Sequence, residues 1–255
     1  MRAVVLIPCY RERGRIGNVV RSVRAAFPDL DVVVIDDASP DSSACEARSA
    51  GALVLRHGCN LGYGAALETG YMHALASGYD FAVQMDGDGQ HLPDQVRLIM
   101  APVLNGSADI VIGSRYRPDG ATATTPLRRA GHALFASVLR LTTGLRLSDP
   151  TSGFQAITRR ALHLFTSGAF PCDYPDSDVI LMCRLAGLRI VEVPVRMADR
   201  SGGQSMHAGL RPLYYSAKVT LSMFIVALNF LVWRAWRRER TANEAGEKGG
   251  STPCL

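Results

Sequence analysis

The sequence predicts an α/β fold: a mainly parallel sheet with helices on both faces and an apolar helix appended near the C-terminus. Three observations predict it. Short β-branched runs such as Ala3–Ile7 and Val32–Ile35 are apolar throughout, as strands covered on both faces must be. Segments with apolar residues at helical spacing lie between those runs, so strand and helix alternate. Charged residues and glycines gather directly after the runs.

Taken in order, Ala3–Ile7 is the first strand, and Ile16, Val19, Val20, Val23 and Phe27 repeat at helical spacing until Pro28-Asp29 stops the helix. Val32–Ile35 is a second strand, Ser42–Ala50 a short helix and Leu53–Leu55 a third strand. Tyr63–Ser77 is an Ala-rich helix, Phe81–Met85 a fourth strand, and Pro93 opens a helix running to about Leu104. Ile110–Ile112 is a fifth strand. The pattern then breaks: Tyr116–Pro126, with Gly120 and an Ala/Thr run, reads as a surface loop. Helix resumes over Leu127–Thr143, strand over Phe154–Thr158, helix over Asp178–Ala186 and strand over Arg189–Val195. Gly202-Gly203 reads as a hinge before a long apolar helix from about Leu210. The expected organisation is a catalytic domain over residues 1–209, a membrane-associated helix over 210–240 and a disordered tail over 241–255.

Composition excludes several classes. With 255 residues, 47% of them apolar, the chain can bury a sizeable core, so general disorder is excluded. Of the net charge of +5, four arginines (234, 237, 238 and 240) against Glu239 place +3 in one short stretch. The rest is nearly neutral, which argues against a nucleic-acid-binding body. Six cysteines show no metal-knuckle or dithiol spacing, and the apolar run at Met1–Pro8 is too short for a secretory leader. Free thiols in a reducing cytosol are expected.

In open α/β sheets, ligands bind beyond the carboxyl ends of the strands. Those ends carry Pro8-Cys9-Tyr10-Arg11-Glu12, Asp36-Asp37-Ala38-Ser39, Asn60-Leu61-Gly62-Tyr63-Gly64, Asp86-Gly87-Asp88-Gly89-Gln90-His91 and Gly113-Ser114-Arg115-Tyr116. Such a concentration suits a polar ligand with phosphates and a metal. Asp-x-Asp alone is a weak signal, since Asp29-x-Asp31 and Asp176-x-Asp178 also occur. Directly after a buried strand, however, Asp86 and Asp88 can turn toward one hard cation, with Gln90 adding an amide oxygen or an outer contact. Mg²⁺ favours such oxygen ligands and retains waters and substrate phosphates.

These segments in this order, with Asp149-x-Thr151-Ser152-Gly153-Phe154 and Glu192-Val193-Pro194-Val195, resemble glycosyltransferase family 2, and within it the polyprenol-phosphate (dolichol-phosphate) mannose and glucose synthases. The resemblance runs from about Val4 to Tyr215. It implies a glycosyltransferase A-type nucleotide-binding sheet, a nucleotide-sugar donor (GDP-mannose or UDP-hexose), Mg²⁺ or Mn²⁺, and inverting hexose transfer to a polyprenyl phosphate. It assigns Pro8, Tyr10, Glu12 and Asp36 to base and ribose, with strand-end packing as the plainer account of Pro8 and Tyr10. Asp37 orients the first loop or touches ligand. Asn60, Gly62 and Gly64 let backbone approach the nucleotide or simply cap a helix. Asp86, Asp88 and Gln90 match the metal and diphosphate site. Arg115, Arg128 or Arg129, and Arg200 match arginines that handle phosphates, for which a guanidinium is well shaped. Asp178 stands on the acceptor side, and becomes the candidate base if the acceptor is a hydroxyl of a polysaccharide or glycolipid. Asp149 caps a helix or meets ligand. One departure is that Met206-His207 stands where such enzymes usually place Lys after Arg200-Ser201-Gly202-Gly203-Gln204-Ser205.

Fifteen residues, Val219–Trp233, separate Lys218 from Arg234, and all but three are apolar. A bilayer core needs about 20. A helix lying in the interface, anchored by Trp233, Trp236 and the arginines, fits better than a span, and packing on the domain or a second subunit is the plain alternative. A peripheral position on the cytoplasmic face of the membrane is expected, with a second copy or a small membrane protein as further partners. A sugar nucleotidyltransferase would want a Gly-rich basic loop where Pro8-Cys9-Tyr10 stands. A dinucleotide oxidoreductase would want its glycines after the first strand, and a non-catalytic scaffold would have little use for Asp86, Asp88 and Arg115 together.

Overall fold

The computed structural model describes residues 1–115, 137, 139–141, 143–168, 170, 171, 175, 177–198, 221, 222, 224–226 and 228. Its elements run β1 (Ala3–Cys9), α1 (Ile16–Ala26), β2 (Asp31–Asp36), α2 (Ser43–Ser49), β3 (Leu53–Arg56), α3 (Tyr63–Ala76), β4 (Phe81–Gln84), a 3-10 turn (Pro93–Gln95) leading into α4 (Val96–Leu104), β5 (Ile110–Ser114), β6 (Gln155–Thr158), α5 (Arg159–Phe165), α6 (Ser177–Leu185) and β7 (Ile190–Pro194). The seven strands form one sheet in the order β3-β2-β1-β4-β6-β5-β7. β6 runs antiparallel to both β4 and β5, and every other pairing is parallel. The carboxyl ends of β1 to β5 therefore share one edge, where the sequence places its charged segments.

The apolar runs are strands because both faces of the sheet are covered. Val4, Leu6, Val33, Ile35 and Ile112 point into a core with α3, α5 and α6, which adds Leu67, Tyr71, Phe165 and Ile180. Their neighbours Val5, Ile7, Val32, Val34 and Val111 point into a second core with α1 and α4, which adds Ile16, Val20, Ile99 and Val103. Alternate residues thus feed opposite cores. Two expectations are refined. β6 enters between β4 and β5 against the parallel trend, and α5 is a helix over residues to which the sequence assigned no element.

Residues 137, 139–141 and 143 are helical within the expected Leu127–Thr143 helix. The helix expected over 210–240 falls largely outside the described residues. Positions 221, 222, 224–226 and 228 are helical, and no described helix is long and apolar enough to cross a membrane. The tail over 241–255 lies outside them as well.

Candidate active site

The first two strand ends are laced together before any ligand arrives. The backbone N–H of Arg11 donates to Ser39 Oγ (3.1 Å) and that of Glu12 to Ser43 Oγ (2.9 Å). Glu12 pairs with Arg15 at 2.6 Å, and its carbonyl accepts from the N–H groups that open α1. Arg11 (φ 58°) and Ala38 (φ 56°) both hold left-handed backbone. That costs about 1–2 kcal/mol per residue, and strain of this kind gathers at functional sites. Tyr10 is exposed and carries the Arg11 guanidinium 5.1 Å from its ring centroid.

Asp36 closes β2 and is fully buried. Neither carboxylate oxygen has a hydrogen-bond partner; Arg56 Nε lies 3.1 Å from Oδ2 without hydrogen-bond alignment. A buried carboxylate in that condition pays a desolvation cost that donor groups of a ligand would offset. Beside it, burial first and the Asp36 charge second push the Cys9 thiol up to about 12. Cys9 and Cys183 are buried, whereas Cys45 and Cys59 are exposed. Iodoacetamide at pH 8 is expected to label Cys45 and Cys59 in the folded protein and to spare Cys9 until denaturation. Peptide mapping checks this, and early labelling of Cys9 would mean that the β1 end opens in solution.

Asp37 does not orient the first loop through its carboxylate. Oδ1 accepts from the Leu61 N–H (2.8 Å) and Oδ2 from the Gly62 N–H (2.9 Å), so it anchors the third loop, where Gly62 (φ 97°) starts α3. His57 completes this anchor, with Nδ1 2.8 Å from Asp37 Oδ1 and Nε2 3.0 Å from Thr69 Oγ1. Sequence reading missed His57, because nothing local marks a histidine twenty residues from its carboxylate.

Past β4, the Asp86 side chain is about 35% exposed. Tyr63 Oη donates to its Oδ1 at 3.0 Å, and its backbone N–H donates to His91 Nδ1 at 2.9 Å. His91 is buried and stacked on Phe154, at 4.8 Å between ring centroids. Burial pulls its pKa down against the raising effect of Asp86 and Asp88, so the imidazole stays neutral, and the bond at Nδ1 places its proton on Nε2. A Cβ at Gly153 would stand 3.1 Å from Tyr63 Oη and 3.2 Å from both Asp86 oxygens, so a side chain there would press on this pair. Asp88 Oδ1 accepts from the Gln90 N–H (3.0 Å), and Gln90 Nε2 reaches Ala198 O at 3.5 Å.

Arg115 and Asp149 are drawn together although the sequence lists them as separate candidates. Arg115 Nε and Nη2 donate to Asp149 Oδ2 (2.7 Å) and Oδ1 (2.8 Å), a bidentate pair around a fully buried carboxylate. Glu192 of β7 fixes the loop from behind, accepting from the N–H groups of Ser148 and Asp149 at 2.7–3.0 Å. Asp178 is fully buried on α6, where it accepts from the Val179 N–H (2.9 Å) and the Ser222 hydroxyl. Arg128, Arg129 and Arg200 lie outside the described residues.

Among those residues, no three His, Cys, Asp or Glu side chains converge as a ready-made metal cage. The donor set still suits a hard cation that brings its own waters and phosphates: two partly exposed carboxylates on one turn at the strand edge. The edge as a whole offers a buried acid with no hydrogen-bond partner beyond its ion pair with Arg56, carboxylates for a cation and a fixed guanidinium.

Comparison with known proteins agrees. Residues 4–165 match glycosyl transferase family 2, and the chain belongs to that family. An undecaprenyl-phosphate mannosyltransferase of Micrococcus luteus is 35% identical, over 82% of this chain and 88% of that one. A polyprenol monophosphomannose synthase of Mycolicibacterium smegmatis is 31% identical over 82% of each. The glucosyl-3-phosphoglycerate synthase of Mycobacterium tuberculosis shares the fold at TM-score 0.67 and 23% identity, covering 88% of this chain and 79% of that chain.

Proposed function

We propose that this glycosyltransferase moves a hexose from a nucleotide sugar, GDP-mannose or a UDP-hexose, to a polyprenyl phosphate with inversion at the anomeric carbon. The observation that carries the reading is Asp36, buried with both oxygens lacking a hydrogen-bond partner at the edge where Asp86 and Asp88 emerge. The named activities of the Micrococcus and Mycolicibacterium relatives supply the acceptor class.

Asp36, with Pro8, Tyr10 and Glu12, would hold the nucleoside, and the Asn60–Gly64 loop held by Asp37 would bring backbone up to it. Asp86, Asp88 and Gln90 would hold Mg²⁺ or Mn²⁺; the fold relative from M. tuberculosis has been seen with Mn²⁺ and UDP-glucose. Such a cation supplies charge neutralisation on the departing diphosphate. The acceptor phosphate has a second pKa near ~6 and is already an anionic nucleophile at neutral pH, so no strong base is required. Asp178, the base that a hydroxyl acceptor would need, is buried and bound to Ser222, which favours the phosphate acceptor. Arg115, Arg128 or Arg129, and Arg200 would offset repulsion between acceptor phosphate and donor diphosphate and keep them in line.

The C-terminal segment would bring the enzyme to its lipid. Leu221, Phe224, Ile225 and Leu228 are exposed at i, i+3, i+4 and i+7, one outward helical stripe. Ser222 and Val226 turn the other way, to Asp178 and the core. The protein would lie peripherally on the cytoplasmic face of the membrane. Incubating it with polyprenyl phosphate vesicles and a panel of labelled nucleotide sugars should send label from one sugar into the organic phase. Label found only in polysaccharide or glycolipid would replace the phosphate acceptor with a hydroxyl.

A further inference from the structure

We infer that Tyr63 is a positioning residue for the metal-binding carboxylate, the outer end of a hydrogen-bond relay, Tyr71–Gln84–Tyr63–Asp86, that reaches from the core to the site. This rests on the reading of Asp86 as a cation ligand. Tyr71 is fully buried in the α3 core, packed on Phe165 and Phe170 with ring centroids 5.0 and 5.5 Å away. Its hydroxyl donates to Gln84 Oε1 at 2.5 Å. Gln84 Nε2 donates to Tyr63 Oη at 3.1 Å, and Tyr63 Oη donates to Asp86 Oδ1 at 3.0 Å.

The direction of the relay follows from donor counting. A hydroxyl has one proton to give, so a Tyr63 that receives an N–H from Gln84 can direct its own proton at Asp86. If the Gln84 amide were turned over, its oxygen would face Tyr63 and compete for that proton. Tyr71 prevents this, because its buried hydroxyl must donate, and burial pushes its pKa far up so that the proton stays. The amide oxygen is thereby held toward Tyr71. Asp86 Oδ1 consequently accepts a hydrogen bond of fixed direction from Tyr63, while Gly153, having no side chain, crowds neither oxygen. One orientation of the carboxylate is selected before any cation arrives, and Oδ2 is the oxygen turned away from the tyrosine. The link depends on α3 standing across β4, so a residue at the start of the loop-to-helix turn acts on a carboxylate 23 positions later.

Tyr63→Phe removes one oxygen and keeps the ring. Mn²⁺ is titrated by its free-ion paramagnetic resonance signal, with GDP or UDP present, into the parent, Tyr63→Phe, Tyr71→Phe and Asp86→Asn proteins. Groups that orient metal ligands are typically worth about 10–100-fold in metal affinity. Tyr63→Phe should therefore weaken Mn²⁺ at least about tenfold, with metal-free nucleotide affinity and the thermal midpoint close to the parent's. Tyr71→Phe should weaken Mn²⁺ in the same direction without touching the site, since it frees the Gln84 amide to turn. Parent-like Mn²⁺ affinity in Tyr63→Phe, with affinity lost in Asp86→Asn, would overturn the relay alone. Parent-like affinity in Asp86→Asn would overturn the metal reading and the relay with it.

Discussion

Asp88→Asn is expected to cut hexose transfer by about 10²–10³-fold, on the scale of removing one group that stabilises transition-state charge, while the thermal midpoint stays close to the parent's. The fold survives because Asp88 is partly exposed past the end of β4 and contributes one acceptor to its own turn. An asparagine oxygen can still accept from the Gln90 N–H now 3.0 Å from Oδ1. What disappears is a negative charge, and charge is what a divalent cation between a protein and a diphosphate requires. The loss should persist at saturating donor and be partly offset by raised Mn²⁺. Turnover equal to the parent's under saturating donor would remove Asp88 from the metal site and leave the pair Asp86-Gly87-Asp88 a solvated turn.

The sheet was legible because its strands are buried on both faces: Val4–Ile7 and Val32–Ile35 are two runs of four consecutive β-branched or leucine side chains, which only strands covered on both faces can bury. The edge carrying the site was legible for the same reason, since parallel strands deliver all their carboxyl ends to one side. Direction and order were not. Gln155–Thr158 is a four-residue strand whose composition reads equally in either sense, and only its ladder to β4 and β5 fixes it antiparallel. The site residues were legible singly and illegible as partners. Asp37 finds its loop 24 and 25 residues away, Arg115 finds Asp149 34 residues away, and Tyr63 finds Asp86 through the packing of α3 on the sheet. Contacts at such separations are set by how layers stack, which local periodicity does not encode. Asp178 illustrates the same point: only the family resemblance places it on the acceptor side, and its buried contact with Ser222, 44 residues on, comes from the C-terminal segment.

That C-terminal segment carries the second large expectation. Changing Arg234, Arg237, Arg238 and Arg240 together to Gln should release most of the protein from anionic vesicles. Each basic residue near an anionic surface contributes about 1 kcal/mol, so four contribute about 4 kcal/mol, roughly a thousandfold in partition. The apolar part of the attachment remains, since Leu221, Phe224, Ile225 and Leu228 stay exposed along their stripe. Neutral vesicles should therefore bind parent and variant alike and weakly. High salt should imitate the substitution, because exposed charges are screened over about 8 Å at physiological ionic strength and over about 3 Å at 1 M. Transfer to a short, water-soluble acceptor phosphate should be unchanged, because the strand ends bearing Asp36, Asp86 and Asp88 are untouched. A segment that spanned the bilayer would behave otherwise, since lipid tails hold a span regardless of salt. Full co-sedimentation of the four-arginine variant in high salt would therefore exclude the interfacial attachment and require an anchor that crosses the membrane.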